Sequence, residues 1–163
     1  MSDVVLKDVT RDNWEACANL KLSTKQGGLI APNLYSLAES RIEASFIPLA
    51  IYHEDELIGF TMYGIDPDDG QYWIYRLMID EKHQGNGYGK AAMIEVIRRL
   101  RELPDCKEVY VGYKPQNMIA AAMFASLGFV RTGQMLQGEF IARLELDHAD
   151  VVDTLGTPAQ SSN

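Results

Sequence analysis

Between Tyr72 and Arg101 the chain passes from a near-continuous apolar run, Tyr72 to Ile79, through three glycines at alternate positions, into a helical pattern. In that pattern Met93, Val96, Ile97, Leu100 and Leu103 repeat at helical spacing opposite Glu95, Arg98, Arg99 and Glu102, and Pro104 ends it. An apolar run of this length suits a strand near the centre of a sheet. The intervening residues, Gln84-Gly85-Asn86-Gly87-Tyr88-Gly89-Lys90, therefore form a strand-to-helix turn. Alternate glycines let successive backbone N–H groups face one point without side-chain obstruction, beside a helix end whose dipole favours anions. That is the chemistry of a phosphate cradle, with a plain structural turn as the alternative for the loop taken alone.

Two phosphate-binding patterns are excluded by particular residues. A nucleotide triphosphate loop requires Ser or Thr after Gly-Lys to reach magnesium, but Ala91 follows Gly89-Lys90. A dinucleotide fingerprint spaces its glycines Gly-x-Gly-x-x-Gly, whereas Gly85, Gly87 and Gly89 alternate, and Lys114 stands where a ribose-binding acid is needed.

The rest of the chain supplies the other layers. Val4 to Leu6 reads as a strand, and Thr10 as the cap of a helix with Trp14, Cys17, Ala18 and the Lys21 stem on one face. Gly27-Gly28 reads as a flexible joint before a second helix, which follows Ala31-Pro32 with Asn33 as N-cap. Pro48 to Tyr52 and Leu57 to Tyr63 form a hairpin about the acidic turn Glu54-Asp55-Glu56, and Pro67 to Gly70 is the next turn. Glu108 to Tyr113 is a strand, Asn117 to Leu127 an alanine-rich helix closed by Gly128, and two last strands flank Gln137-Gly138. From Asp147 onward periodicity is lost, so residues 1–146 are read as one α/β (α+β) domain and 147–163 as a mobile tail. The expected architecture is a mixed sheet of six to seven strands with helices on both faces.

A net charge of -8 disfavours nucleic acid and anionic membranes as partners and favours cations. No apolar run approaches the roughly 20 residues of a membrane-crossing helix, and the first residues lack the pattern of a signal peptide, so a cytoplasmic location is expected. Cys17 and Cys106 are far apart and read as plain buried thiols, and no metal-ligand spacing is visible. The oligomeric state stays open, a homodimer included.

The segment Gln84-Gly85-Asn86-Gly87-Tyr88-Gly89, together with Asn117, Ala120, Phe124, Gly128 and Phe129 downstream, resembles the GCN5-related N-acetyltransferase (GNAT) family over roughly residues 4–146. Asn33 to Glu39, Tyr72-Trp73 and Tyr113-Lys114-Pro115 look like its spermine/spermidine acetyltransferase branch. The resemblance implies acetyl-CoA as cofactor, with the Gln84 to Lys90 backbone on the pyrophosphate. It further implies that Leu77, Met78 and Ile79 pair with the pantetheine arm, that the Leu77 N–H polarises the thioester carbonyl, and that Asn117 holds the arm, although a helix N-cap is an equally adequate reason for that asparagine.

Two positions depart from that pattern. Phe124 stands where many relatives carry a tyrosine thought to protonate the departing thiolate, so it is expected to pack beside the thioester sulfur or in the core. The usual strand position of a general base falls near Trp73, which leaves Tyr75, two residues on, as a candidate proton relay or substrate contact. Tyr63 and Tyr113 lie on strands that flank the expected cleft. For a small cationic acceptor such as spermidine or spermine, Glu39 is the expected charge partner, with Asn33, Tyr35 and Ser36 adding hydrogen bonds. The rival functions are acetylation of a protein or antibiotic amine, and acyl-CoA sensing without turnover.

Overall fold

The computed structural model describes residues 3–22 and 31–147. Gly27-Gly28 and the segment from His148 onward lie outside them. Seven strands, β1 (Val5–Asp8), β2 (Ile47–His53), β3 (Glu56–Ile65), β4 (Tyr72–Ile79), β5 (Glu108–Tyr113), β6 (Val130–Leu136) and β7 (Glu139–Glu145), form one sheet. Four helices, α1 (Trp14–Ala18), α2 (Asn33–Ile42), α3 (Tyr88–Arg101) and α4 (Met118–Ser126), complete the expected order of elements. The sheet order β1-β2-β3-β4-β5-β7-β6 puts β4 in the middle, as its apolar run requires.

Each face of the sheet carries its own core. On one, Ile74 and Ile79 of β4 and Val109 and Val111 of β5 pack with Met93, Val96 and Leu100 of α3 and Phe124 of α4. On the other, Phe60, Met62 and Met78 pack with Cys17 of α1 and Leu37 of α2. The helical stripe of α3 is buried as its spacing predicts, with Met93, Val96 and Leu100 fully enclosed.

The first third of the chain departs from expectation in two capping details. Thr10 caps the turn that leads into α1 rather than the helix itself: its Oγ1 accepts from Asp12 N–H at 3.2 Å, its carbonyl accepts from the Asn13 and Trp14 N–H groups, and Asn13 directly precedes a helix of only five residues. Cys17 is buried there while Trp14 is exposed, and Lys21 lies past the helix end. The Lys21 main chain instead meets Asp80 and Glu81 at the end of β4. Asn33 is not the cap of α2 but its first residue, after Pro32. Its buried amide donates to the Cys17 carbonyl at 2.8 Å, tying α2 to α1.

All strand pairs are antiparallel except β4 with β5, which are parallel and joined through α3. That pair is also the shortest: Tyr72, Trp73 and Ile74 face Val109, Tyr110 and Val111, after which the two strands part. Among the described residues no helix is long and apolar enough to cross a membrane.

Candidate active site

Beyond Ile74 the β5 side of β4 is an open strand edge. Opposite it, β3 pairs with β4 through a bulge: Met62 faces Arg76 and Tyr63 faces Ile74, leaving Tyr75 without a partner. A bulge adds one residue and locally re-aims the strand. Consequently Tyr75 and Arg76 both turn toward the α1/α2 side, where Tyr75 packs on Phe46 and Arg76 meets Glu39 of α2. Leu77 returns to the α3/α4 core.

The direction of the Leu77 N–H follows from hydrogen bonds around it. Arg76 carbonyl oxygen lies on the β3 side, where it accepts from the Thr61 hydroxyl at 2.7 Å. The peptide bond is trans, so the Leu77 N–H at its other end points away from β3, toward the open edge. Further along, Asp80 N–H donates to Ile58 of β3, and the Ile79 carbonyl, in opposite phase, is taken by the Gln84 side chain at 2.9 Å.

The glycine segment begins where this edge ends. Gly85 and Gly87 have φ of 81° and 80°, in the left-handed region that glycine enters without steric cost. Gly87 immediately precedes α3 and no side chain caps that helix, whereas Asn117 caps α4 by accepting from Ala120 N–H at 3.2 Å. The first-turn N–H groups of α3 thus meet an exposed loop, which suits an anion. Gln84 and Asn86 use side chains internally, Asn86 donating to the His83 carbonyl at 3.0 Å, so the loop offers chiefly backbone. Gly89 differs from the other two glycines, lying inside the first turn of α3. Tyr88 packs on His53, and Lys90 is exposed. An open strand edge with an outward N–H, continuous with an anion cradle, fits a ligand that carries an amide-bearing arm on a diphosphate. Acetyl-CoA is such a ligand.

On the β5 side of the opening, Tyr113 stacks on Phe124, which also meets Phe129 edge-on, ring centroids 5.8 and 5.4 Å apart. Phe124 is buried in the α3/α4 core. Asn117, buried at the start of the same helix, spends its side-chain oxygen on the α4 cap.

The candidate acceptor residues divide. Tyr35 is exposed, Ser36 is fully buried, and Asn33 is held by Cys17. Glu39 is already paired, its carboxylate 2.8 Å from Arg76 Nη2, while Arg76 Nη1 donates to the Tyr75 carbonyl at 2.9 Å. The Tyr75 hydroxyl donates to Asp66 at 2.8 Å, and burial, that bond and the nearby charges of Asp66, Asp69 and Glu39 push its pKa well above the ordinary phenol range. It holds its proton and stands as a contact more readily than as a base.

Sequence reasoning missed the company of Tyr75. Phe46, Tyr75, Trp73 and Tyr110 form a row of rings, with centroid separations of 4.4, 6.4 and 5.3 Å. Their polar tips end on carboxylates: Tyr75 on Asp66, Trp73 on Asp69 and Tyr110 on Glu108. Glu139 of β7 lies against the bare α carbon of Gly112, where a Cβ would be 2.5 Å from its oxygen. The only signal in the sequence was the pairing of the acidic turn 66–69 with Trp73 and Tyr75, which reads equally as an ordinary solvated turn.

Residues 14–129 match the model of the acetyltransferase (GNAT) family. The chain is 32% identical over 148 residues to spermine/spermidine N(1)-acetyltransferase of Bacillus subtilis, covering 86% of this chain and 97% of that protein. Its fold is similar to that of Vibrio cholerae spermidine N-acetyltransferase, solved in complex with CoA and spermine (TM-score 0.70, 16% identity, 88% and 94% of the two chains). It is similarly close to the ribosomal-protein-alanine N-acetyltransferase of Brucella melitensis (TM-score 0.68, 18% identity, 87% and 99%). The fold alone therefore does not choose between a small amine and a protein N-terminus.

Proposed function

This chain belongs to the GNAT acetyltransferase family, and from that premise we propose that it acetylates a primary amine of a small polycation such as spermidine or spermine. Acetyl-CoA is its cofactor, as in the family at large. The observation that carries the acceptor class is the pair of carboxylates Asp66 and Asp69 on the polar tips of Tyr75 and Trp73, along a row of rings that begins two residues from Leu77. Carboxylates hold ammonium groups, and ring faces add cation–π attraction of about 0.5–2 kcal/mol each. On β7, Glu139 lies against Gly112, two residues along β5 from Tyr110. The Bacillus subtilis relative, alike over nearly its whole length, bears the name of a polyamine acetyltransferase.

In the proposed reaction Leu77, Met78 and Ile79 would hold the pantetheine arm and the Gln84 to Lys90 backbone the pyrophosphate, the bound thioester supplying an activated acetyl group. The deprotonated acceptor nitrogen attacks the thioester carbon, and the carbonyl oxygen takes up negative charge facing the Leu77 N–H. The C–S bond then breaks, and the proton that the nitrogen loses as it becomes the amide passes, through solvent, to the departing CoA thiolate. A hydrogen-bond donor at a developing oxyanion contributes on the order of 3 kcal/mol where a side-chain donor has been removed. Both cysteines are buried, and desolvation raises their pKa to about 11 for Cys17 and about 12 for Cys106. Neither supplies a thiolate near neutral pH, so direct attack in a ternary complex is preferred to a cysteine acyl-enzyme.

The test is thiol release from acetyl-CoA with spermine, spermidine, putrescine and an alanine-initiated peptide. Spermine or spermidine should be the best acceptor, and Asp69→Asn should raise its KM several-fold while leaving that of acetyl-CoA unchanged. Preference for the peptide, or turnover with none of the four, would refute the reading.

A further inference from the structure

We propose that Thr61 is a positioning residue for acetyl transfer, its hydroxyl fixing and polarising the Arg76–Leu77 peptide whose other end presents the N–H donor. The inference rests on the proposed role of the Leu77 N–H as donor to the thioester carbonyl.

Thr61 sits on β3 directly opposite Leu77 and is fully buried. A hydroxyl there is costly without a partner, by roughly 1–3 kcal/mol, and valine would fill the same volume. Its partner is the Arg76 carbonyl at 2.7 Å, a well-formed O–H···O bond of ordinary length. That carbonyl and the Leu77 N–H belong to one planar amide. Holding the oxygen therefore fixes the direction of the N–H, and drawing electron density toward the oxygen makes the N–H a better donor. Hydrogen bonds in series strengthen one another by about 10–30% each.

The bulge explains why the strand needs such a bond at this place. Tyr75 is unpaired and the ladder resumes only at Arg76, so side-chain bonds reinforce it where the strand has just been re-aimed. The Tyr75 carbonyl is held by Arg76 Nη1, itself steadied by Glu39, and the Arg76 carbonyl is held by Thr61. Two side-chain bonds thus fix the two peptide planes leading to Leu77. Thr61 acts through the peptide and touches no reacting atom.

The experiment uses acetyl-CoA carrying 13C at the thioester carbonyl, bound to the full chain without acceptor and read by isotope-edited infrared spectroscopy. In the wild type the carbonyl stretch should lie below its value for free acetyl-CoA in water. Thr61→Val should move it back toward the free value, and kcat with the best amine should fall about tenfold, with both KM values within twofold. Thr61→Ser and Thr61→Ala both lack the methyl and differ only in the hydroxyl, so they separate its effect from stability. The serine variant should keep the wild-type stretch, and the alanine variant should match valine. A lowered stretch that survives in both hydroxyl-free variants would overturn the role of Thr61 and leave the Leu77 donor standing. Bound acetyl-CoA with no lowering in the wild type would overturn both.

Discussion

The three alternate glycines of the anion loop look equivalent in sequence and should behave differently when each is replaced by alanine. At Gly85 φ is 81° and a Cβ would meet nothing within 4 Å, so the cost of alanine is backbone conformation alone. Left-handed backbone costs an L residue about 1–2 kcal/mol, offset by about 0.4–1 kcal/mol from the lower entropy of the unfolded chain. Gly85→Ala should therefore lose about 1 kcal/mol. Gly89 lies in the first turn of α3, where a Cβ would be 3.7 Å from Ile79 Cγ1 and 3.8 Å from Met123 Sδ, ordinary contact distances. Alanine there should gain up to about 1 kcal/mol of helix propensity. For a chain of this size 1 kcal/mol moves Tm by about 2–4 °C, so the two variants should melt about 4–8 °C apart, on opposite sides of the wild type. Thermal unfolding followed by circular dichroism, with CoA absent, measures the separation. Gly85→Asn should recover part of the loss, since asparagine tolerates the left-handed region. Coincident melting of Gly85→Ala and Gly89→Ala, or the reverse order, would refute the division of this loop into a left-handed turn and a helical start.

Two further outcomes follow from the cores. Phe124→Ala should cost about 3–5 kcal/mol in denaturant unfolding, because the ring fills the space between Tyr113 and Phe129, while Phe124→Tyr should change turnover less than tenfold. Cys17, with its folded pKa raised from 9.0 to about 11 by burial, is neutral in the folded chain while its unfolded counterpart ionises. The unfolded state then binds fewer protons, so stability is full below pH 9 and falls as pH rises from about 9 to 11. Cys17→Ala should flatten part of that decline relative to its own stability at pH 8.

Regular periodicity made much of the fold legible. The bounds of β5 were read directly from Glu108 to Tyr113, and the stripe of α3 from Met93 to Leu100, because in each case a single face is buried. The central place of β4 was legible from its apolar run, and that same run hid the bulge. Where nearly every residue is apolar, the step from Ile74 to Leu77 on one face leaves no trace in the pattern. Polar residues were harder still. Asn33 has the chemistry of a cap but donates across to α1, and Glu39 has the chemistry of a ligand for ammonium but already holds Arg76. Both outcomes depend on which element lies beside the side chain, and one strand's sequence does not report its neighbours. Thr61 is the sharpest case, since its meaning comes from the carbonyl opposite it on β4.

The brief pairing of β4 with β5 also bears on how the molecule resists heat and force. Three residue pairs are all the ladder that joins the β1–β4 half of the sheet to the β5–β7–β6 half, so the sheet has a seam. A pantetheine arm docked along Leu77 to Ile79 would lie in that seam as a removable stitch. At a hundred times its dissociation constant such a ligand stabilises the folded chain by about 2.7 kcal/mol, concentrated where the ladder is thinnest. Each release of CoA would unpick the stitch, so the chain would be most robust between turnovers with cofactor aboard, and most easily prised apart in the interval before the next one binds.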